Sequence, residues 1–268
     1  MKDLILFSDL DGTLIFSAKR KQVGDIVVER KDGAEISCVT ARQAELFPRL
    51  SNVIPVTTRS IEQYKRIEFA RLGFSPKYAL CDNGGTLLID GEPDAEWSEW
   101  SREIIRECSD ELSLFRELLE RDPRRSFEVR LVDELFLFTK RRKPDETLKY
   151  IGEGELCECF FTGEKVYVIP KKLNKGEAVK RLAKRLGLSE FAAAGDSLMD
   201  VSMLNAANIA IFPEDISEVV TVRDSLPCGE LPKDFRPKYP RTRLAKPREG
   251  FPEFVTEFAL NQQRFGDA

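Results

Sequence analysis

The chain contains no histidine among its 268 residues. That absence excludes Ser-His-Asp and Cys-His nucleophilic catalysis, phosphohistidine intermediates and histidine-ligated metals together. Any chemistry must run on carboxylates, hydroxyls and amines. A strong net charge is also missing: 42 Lys+Arg stand against 46 Asp+Glu, a net of −4. There is no bulk electrostatic footprint for nucleic acid or an anionic membrane, so any anion site must be local. No apolar run approaches the length of a membrane span, and the one in MKDLILF is too short for a secretory signal, so the expectation is a cytoplasmic protein with no membrane partner. The six cysteines (Cys38, Cys81, Cys108, Cys157, Cys159, Cys228) are scattered through a chain that is long enough to need no staples, and read as reduced and mostly buried. Strand alternation puts Cys157 and Cys159 on one face, but without a second pair or a histidine they read as packing, not a zinc site. Internal repeats and low-complexity tracts are absent.

What is present is an ordinary globular composition, 42% hydrophobic and 33% charged, arranged as alternating β and α patterns. LILFS is a short continuous apolar run, as expected of a strand buried on both faces of a parallel sheet. Residues 24–39 alternate around a Lys-Asp-Gly turn and read as a β-hairpin. Thr40 can cap a short helix, ARQAELF. NVIPVTT is a second core strand, a helix follows from about Ser60 to Leu72, and KYALCDNGG closes a third β unit. This βαβαβ order argues a parallel sheet with crossover helices.

The texture then changes. An amphipathic helix over 97–121, alternating strands SFEVRLV and LFLFTKR, a helix PDETLKYI, and a hairpin of ELCECFFT with KVYVIP imply an antiparallel sheet with helices on one face. The α/β pattern resumes with the helix GEAVKRLAKRLGL, the strand FAAAGD, the helix LMDVSMLNAA and the strand NIAIF. Seven of the 14 prolines fall between Pro213 and Pro252; that segment reads as an extended surface strap, closed by a helix from about Pro252. The domain organisation expected is therefore a core of 1–88 and 171–268 with an inserted α+β unit at 89–170.

Four stations lie at strand ends or helix starts. Asp9-Leu10-Asp11-Gly12-Thr13 places two carboxylates so close that burying both requires a cation, and with Asp196 they would form an all-oxygen set suited to Mg²⁺. Thr57-Thr58-Arg59 offers hydroxyl and backbone donors that suit a phosphate oxygen, and equally fits a plain N-cap. Lys175-Gly176 puts a cation at the start of a helix, against the dipole, where an anionic partner would compensate it and a solvated lysine is the bland alternative. Gly195-Asp196-Ser197-Leu198-Met199-Asp200 ends an apolar strand in one acid and adds a second a turn later.

Together, DLDGT at 9–13, VTTR at 56–59, NKG at 174–176 and GDSLMD at 195–200 resemble the four motifs of the haloacid dehalogenase superfamily of aspartate-nucleophile phosphatases. The insertion resembles the cap of the branch that includes Cof-type sugar phosphatases and sucrose-phosphate phosphatases, and CDNGG at 81–85 resembles that branch's entry into the cap. Thr58 stands where relatives usually carry glycine. The resemblance implies a Rossmann-like doubly wound parallel-sheet core with an inserted α+β cap. It implies Asp9 as nucleophile, Asp11 as general acid/base, Thr57, Thr58 and Lys175 as phosphate ligands, and Asp9, Asp11 and Asp196 around Mg²⁺. Asp200 and Ser197 would support that set from behind. The expected activity is Mg²⁺-dependent hydrolysis of a small phosphomonoester, of a sugar or polyol. The alternatives are a phosphotransferase or phosphomutase, or a non-catalytic binder of phosphorylated ligands. In the cap, alternation puts Phe127, Val129 and Leu131 on the helix-packed face and Glu128 and Arg130 on the face across the cleft from Asp9, where they would select the substrate.

Overall fold

The structure is a computed structural model that describes residues 4–142, 154–218, 220 and 242–264. In chain order the elements are β1 (Leu6–Ser8), β2 (Phe16–Ser17), β3 (Ile26–Lys31), β4 (Ala34–Val39), α1 (Ala41–Leu46), β5 (Val53–Pro55), α2 (Ile61–Lys65), β6 (Tyr78–Cys81), β7 (Thr86–Ile89) and β8 (Glu92–Pro93). They continue with α3 (Ala95–Arg121), β9 (Arg130–Val132), β10 (Phe136–Lys140), β11 (Cys157–Thr162), β12 (Lys165–Pro170), α4 (Lys175–Arg185), β13 (Ala192–Ala194), α5 (Val201–Ala206), β14 (Ile209–Pro213), β15 (Thr242–Lys246) and α6 (Phe251–Arg264).

The core is a five-stranded, wholly parallel sheet in the order β15-β14-β13-β1-β5. β1, β5, β13 and β14 are short and apolar because both faces are covered, whereas the edge strand β15 keeps exposed residues. Alternation sorts the two faces: Leu6, Val53, Ala194 and Ile211 pack with Phe251 and Val255 of α6, whereas Phe7, Ile54, Ala193 and Phe212 pack with Val179 and Leu182 of α4 and Met203 of α5. Among the described residues no helix is long and apolar enough to cross a membrane.

A separate four-stranded antiparallel sheet, β11-β12-β10-β9, lies against α3. Ile104, Cys108, Leu112, Phe115 and Leu119 recur at helical spacing and form the stripe of α3 that covers Leu137, Val166 and Val168. Cys157 lies in this packing and Cys159 beside it, both free thiols. The helix expected over 144–151 falls outside the described residues.

Four expectations need correction. The helix expected from Ser60 to Leu72 is only α2, followed by a 3₁₀ turn at Phe69–Leu72; the chain is diverted because the Glu68 amide donates to the Val28 carbonyl of β3 at 2.7 Å. β6 does not join the parallel sheet as a further strand. It touches it through one bridge, Val56 to Leu80, and turns back to pair with β7. In the second sheet β9 begins only at Arg130, so alternation fails upstream: the Phe127 ring lies against Phe138, 6.0 Å between centroids, and Leu131 is 42% exposed instead of packed on a helix. Finally, the proline-rich region contributes β15, which pairs with β14 from Ile209–Thr242 to Pro213–Lys246 as the sheet's edge.

The turn after β6 ties the two sheets together. Asp82, Asn83 and Gly84 are successive left-handed residues, with φ of 54°, 58° and 94°. At Gly84 any Cβ would sit 2.3 Å from the Cβ of Ala178, so only glycine fits. Asn83 donates to the Leu173 carbonyl, Trp97 Nε1 to the Gly84 carbonyl and Ser101 to the Gly85 carbonyl. Asp82 itself is fully buried and accepts from Thr86. Burial, and then the charge of Asp133 reaching over from the β9–β10 turn, pushes its carboxyl up to about 8.

That shift has a sign. The unfolded chain loses this proton near pH 4, as an ordinary aspartate does at about 3.9, whereas the folded chain keeps it to about 8. Between those values the unfolded state binds fewer protons, so stability falls as pH rises, by up to about 1.4 kcal/mol per unit. Asp82→Asn keeps the shape and cannot ionise. Thermal melts should therefore show a shallower loss of Tm between pH 5 and 8 for Asp82→Asn than for the unaltered chain; equal slopes would mean that Asp82 is not the group responsible.

Candidate active site

The expected stations converge at the carboxyl ends of β1, β13 and β5, the end at which open α/β sheets build their sites. Asp9 follows β1 and its amide donates to the Ala194 carbonyl of β13 at 2.9 Å. The chain then winds into a tight loop in which the amides of Thr13, Leu14 and Ile15 all donate to the Leu10 carbonyl. Gly12 makes this loop possible. Its φ is +90°, and an added Cβ would lie 2.3 Å from Asp196 Oδ2. The buried Thr13 hydroxyl in the same loop has no hydrogen-bond partner.

Lys175 is the first residue of α4, and its side chain is 1% exposed. Its cation does not reach solvent. The ammonium donates to Asp9 Oδ1 and to Asp200 Oδ1, each at 2.5 Å. The anionic partners demanded by a lysine at a helix start are thus supplied by the protein. Asp200 spends its other oxygen, Oδ2, accepting from the amides of Asp196 and Ser197 and from the Ser197 hydroxyl. Burial, and then the neighbouring Asp200 charge, raise the Asp9 carboxyl well above the usual carboxylate range, with Lys175 acting against them. The same two causes lift Asp196 to about 6. For Lys175, burial opposes the charge, but Asp200 and Asp9 outweigh it and hold the proton on.

Asp11 is held differently. Arg59 grips it with two bonds, Nε to Oδ2 at 2.6 Å and Nη2 to Oδ1 at 2.8 Å. Burial would raise the Asp11 carboxyl; the Arg59 hydrogen bonds and charge more than offset it and leave it below its ordinary value. Arg59 also donates to Glu29 and to the Ser37 hydroxyl, so the 24–39 hairpin buttresses Asp11 from behind. Thr57 is buried at the end of β5, where its hydroxyl oxygen accepts from the Arg59 amide. Thr58 is half-buried and keeps a negative φ, so replacing glycine there introduces no left-handed strain. Arg130 opens β9 of the second sheet and Glu128 lies just before it, the two paired with one another, with the Arg130 guanidinium 4.6 Å over the Phe127 ring.

One side chain of the site carries no signal in the sequence, and the role of another is not local. Arg248, beyond β15, donates to Asp196 Oδ2 at 2.7 Å and to the Asp196 carbonyl at 2.9 Å, and pairs with Asp215. Nothing in a proline-rich strap marks one arginine among several. Arg59 belongs to the quoted station Thr57-Thr58-Arg59, but its partner Glu29 sits in a hairpin whose docking is non-local.

The donors suit a hard cation. Asp9, Asp196 and Asp200 each offer a carboxylate oxygen, all within 4.8 Å of one another. Asp200 already fills both oxygens with donors, which leaves Asp9 and Asp196 as the carboxylates free to hold a metal. An all-oxygen set without thiol or imidazole fits Mg²⁺ and not zinc.

The chain is similar to known proteins. The model of the family described as sucrose-6F-phosphate phosphohydrolase matches residues 2–222. A phosphoglycolate phosphatase of Archaeoglobus fulgidus is 28% identical over 189 residues, 67% of this chain and 78% of that protein. Among solved structures, the sucrose-phosphatase of Synechocystis in complex with sucrose and phosphate aligns over 96% of this chain and 98% of its own, with a TM-score of 0.63 and 18% identity. A hypothetical protein of Geobacillus kaustophilus aligns over 97% and 100%, with a TM-score of 0.53 and 17% identity. At such identities these two structures speak to the fold.

The Arg59 cluster can be tested as a network. Glu29 is fully buried and also pairs with Arg66. Arg59→Gln removes one of its two cations and should cost about 1–3 kcal/mol, less than the loss of a sole buried partner. Adding Glu29→Gln should recover part of that cost, because the uncompensated charge is gone. Urea unfolding of the two single variants and the double variant measures the coupling; strictly additive losses would contradict a shared network.

Proposed function

As the chain belongs to the sucrose-6F-phosphate phosphohydrolase family of the haloacid dehalogenase superfamily and is a phosphatase, we propose that it hydrolyses a small sugar or polyol phosphate with Mg²⁺, through a phosphoaspartate on Asp9. The observation that carries this reading is the buried Lys175 ammonium fixed between Asp9 and Asp200. It aims one carboxylate and one cation at the same point at the end of β1. Residues 1–88 and 171–268 form the catalytic core, and residues 89–170 form the cap.

Asp9 and Asp196, with the Asp11 carbonyl, would hold the Mg²⁺, which when bound neutralises the repulsion between the Asp9 carboxylate and the incoming phosphate. Asp9 then attacks phosphorus through the oxygen that Lys175 does not hold. Lys175, Thr57 and the Thr58 segment bind the phosphate oxygens, with Asp200 and Ser197 keeping Lys175 and Asp196 in register. Asp11 protonates the leaving alkoxide, and in the second step, as a carboxylate, takes a proton from the attacking water. The Arg59 grip favours that carboxylate form, so loading a proton onto Asp11 requires it to loosen from Arg59. Arg130 and Glu128 take part in substrate selection from the edge of the cap sheet. The sucrose bound in the Synechocystis structure supports a sugar phosphate. The Archaeoglobus relative adds phosphorylated hydroxy acids to the esters worth testing.

Two outcomes check the reading. Asp9→Asn keeps the side chain's size but removes the attacking charge, so phosphate release from a panel of phosphorylated metabolites should fall at least about a hundredfold with folding intact. EDTA should abolish activity and Mg²⁺ restore it, whereas Ca²⁺, with its looser coordination shell, should inhibit. Near-normal turnover by a folded Asp9→Asn protein would sink the covalent mechanism, and full activity in metal-free buffer the metal.

A further inference from the structure

Two cations of the protein hold the carboxylates that would take a metal, and each occupies one oxygen. Lys175 donates to Asp9 Oδ1 at 2.5 Å, which leaves Oδ2. Arg248 Nη1 donates to Asp196 Oδ2 at 2.7 Å, which leaves Oδ1. Gly12 confines the same Asp196 oxygen from another side: a Cβ built there would lie 2.3 Å from Oδ2 and 3.1 Å from Oδ1. Asp196 therefore has one oxygen to present to a cation, not both.

Arg248 is braced in that position. Its Nη2 also donates to the Asp196 carbonyl at 2.9 Å, so the guanidinium grips the side chain and the backbone of one residue. From the other edge Asp215, in the turn after β14, accepts from Nε at 3.0 Å and from Nη2 at 2.9 Å. One exposed ion pair would fix little. A planar, permanently charged fork bonded along two edges has a defined plane, which the single point charge of a lysine would not give. Arg248 also lies beyond residues 2–222, the stretch that the family model matches, so that match assigns it no part in the site.

We propose that Arg248 is a positioning residue that sets which divalent cation the site prefers: by occupying Asp196 Oδ2 it prevents bidentate coordination there and favours Mg²⁺ over Ca²⁺. Mg²⁺ demands a near-ideal octahedral shell, which carboxylates enter with one oxygen each, whereas Ca²⁺ takes roughly six to eight oxygens and readily draws both from one carboxylate. With Arg248 in place the larger shell is short of an oxygen. The positive charge of Arg248 repels two ions of equal charge alike, so charge weakens both and the number of available oxygens discriminates between them. The inference rests on the reading of Asp9 and Asp196 as metal ligands and specifies what tunes them.

The test is calorimetric titration of the metal-free full chain with Mg²⁺ and with Ca²⁺, without substrate, with circular dichroism to confirm the fold. The unaltered chain should bind Mg²⁺ more tightly than Ca²⁺. Arg248→Met removes the charge and frees Oδ2, so both affinities should rise, that for Ca²⁺ by about tenfold more, within the range for changes to groups that orient metal ligands. Arg248→Lys keeps the charge and one donor for Oδ2 and should retain part of the preference. Asp215→Asn leaves Asp196 and Arg248 in place but loosens the fork, and should shift the Ca²⁺-to-Mg²⁺ ratio in the same direction by less. Three outcomes would overturn the role of Arg248: a preference for Ca²⁺ in the unaltered chain, a ratio unchanged or shifted towards Mg²⁺ in folded Arg248→Met, or, should that variant not fold, an unchanged ratio in Asp215→Asn. An unaltered chain that binds neither ion would instead overturn the metal reading of Asp9 and Asp196, and this inference with it.

Discussion

The site depends on one interaction, the Lys175 ammonium buried between two carboxylates. A lysine in this position faces two penalties, desolvation and an adverse helix dipole, and it tolerates both only because Asp9 and Asp200 lie within hydrogen-bond distance. The dependence is mutual. Asp200 could not be buried without Lys175 and the three donors from Asp196 and Ser197. Asp9 would be left facing Asp196 and Asp200 with no cation between. The ends of β1 and β13 and the starts of α4 and α5 are therefore located relative to one another by charge as well as by the packing of Phe7, Val179 and Met203.

A second charged network, around Glu29, acts on geometry in the same way. Buried ion pairs add little net stability compared with apolar residues of the same shape, but breaking one is costly, so they select a single arrangement. Here the arrangement selected is the orientation of Asp11. Arg59 reaches it from β5, and Glu29, Ser37 and Arg66 hold Arg59 in place. The 24–39 hairpin is an addition to the α/β pattern whose buried acid controls the posture of a group two elements away. Arg248 does for Asp196 what Arg59 does for Asp11, from the far end of the chain.

What was legible in the sequence was local. β1, β5 and β13 announce themselves as apolar runs ending in a polar station, because burial on both faces and a site at the carboxyl end leave that mark within a few residues. The capping boxes at Thr40 and Ser60 and the left-handed Asp32-Gly33 turn are equally local. The failures share a non-local cause. Residues 66–72 keep a helical pattern, but the hairpin's Val28 carbonyl takes the Glu68 amide and ends the helix. β15 is a parallel edge strand whose partner, β14, lies across a long connection, so no turn chemistry signals it. In the second sheet, alternation was projected backward from Arg130 through residues that are not in a strand, and Phe127 consequently faces the other way.

The distribution of charge gives the site its logic. Arg59 neutralises Asp11, Arg248 neutralises Asp196, and Asp9 and Asp200 must share Lys175. Carboxylates outnumber cations, and burial first and then that excess raise the Asp9 and Asp196 carboxyls. A phosphate ester entering such a site adds negative charge to a place already short of positive charge. On the proposed mechanism, proton uptake by Asp9 would relieve the excess at the expense of the nucleophile, whereas a divalent cation held by Asp9 and Asp196 would relieve it and leave Asp9 ionised.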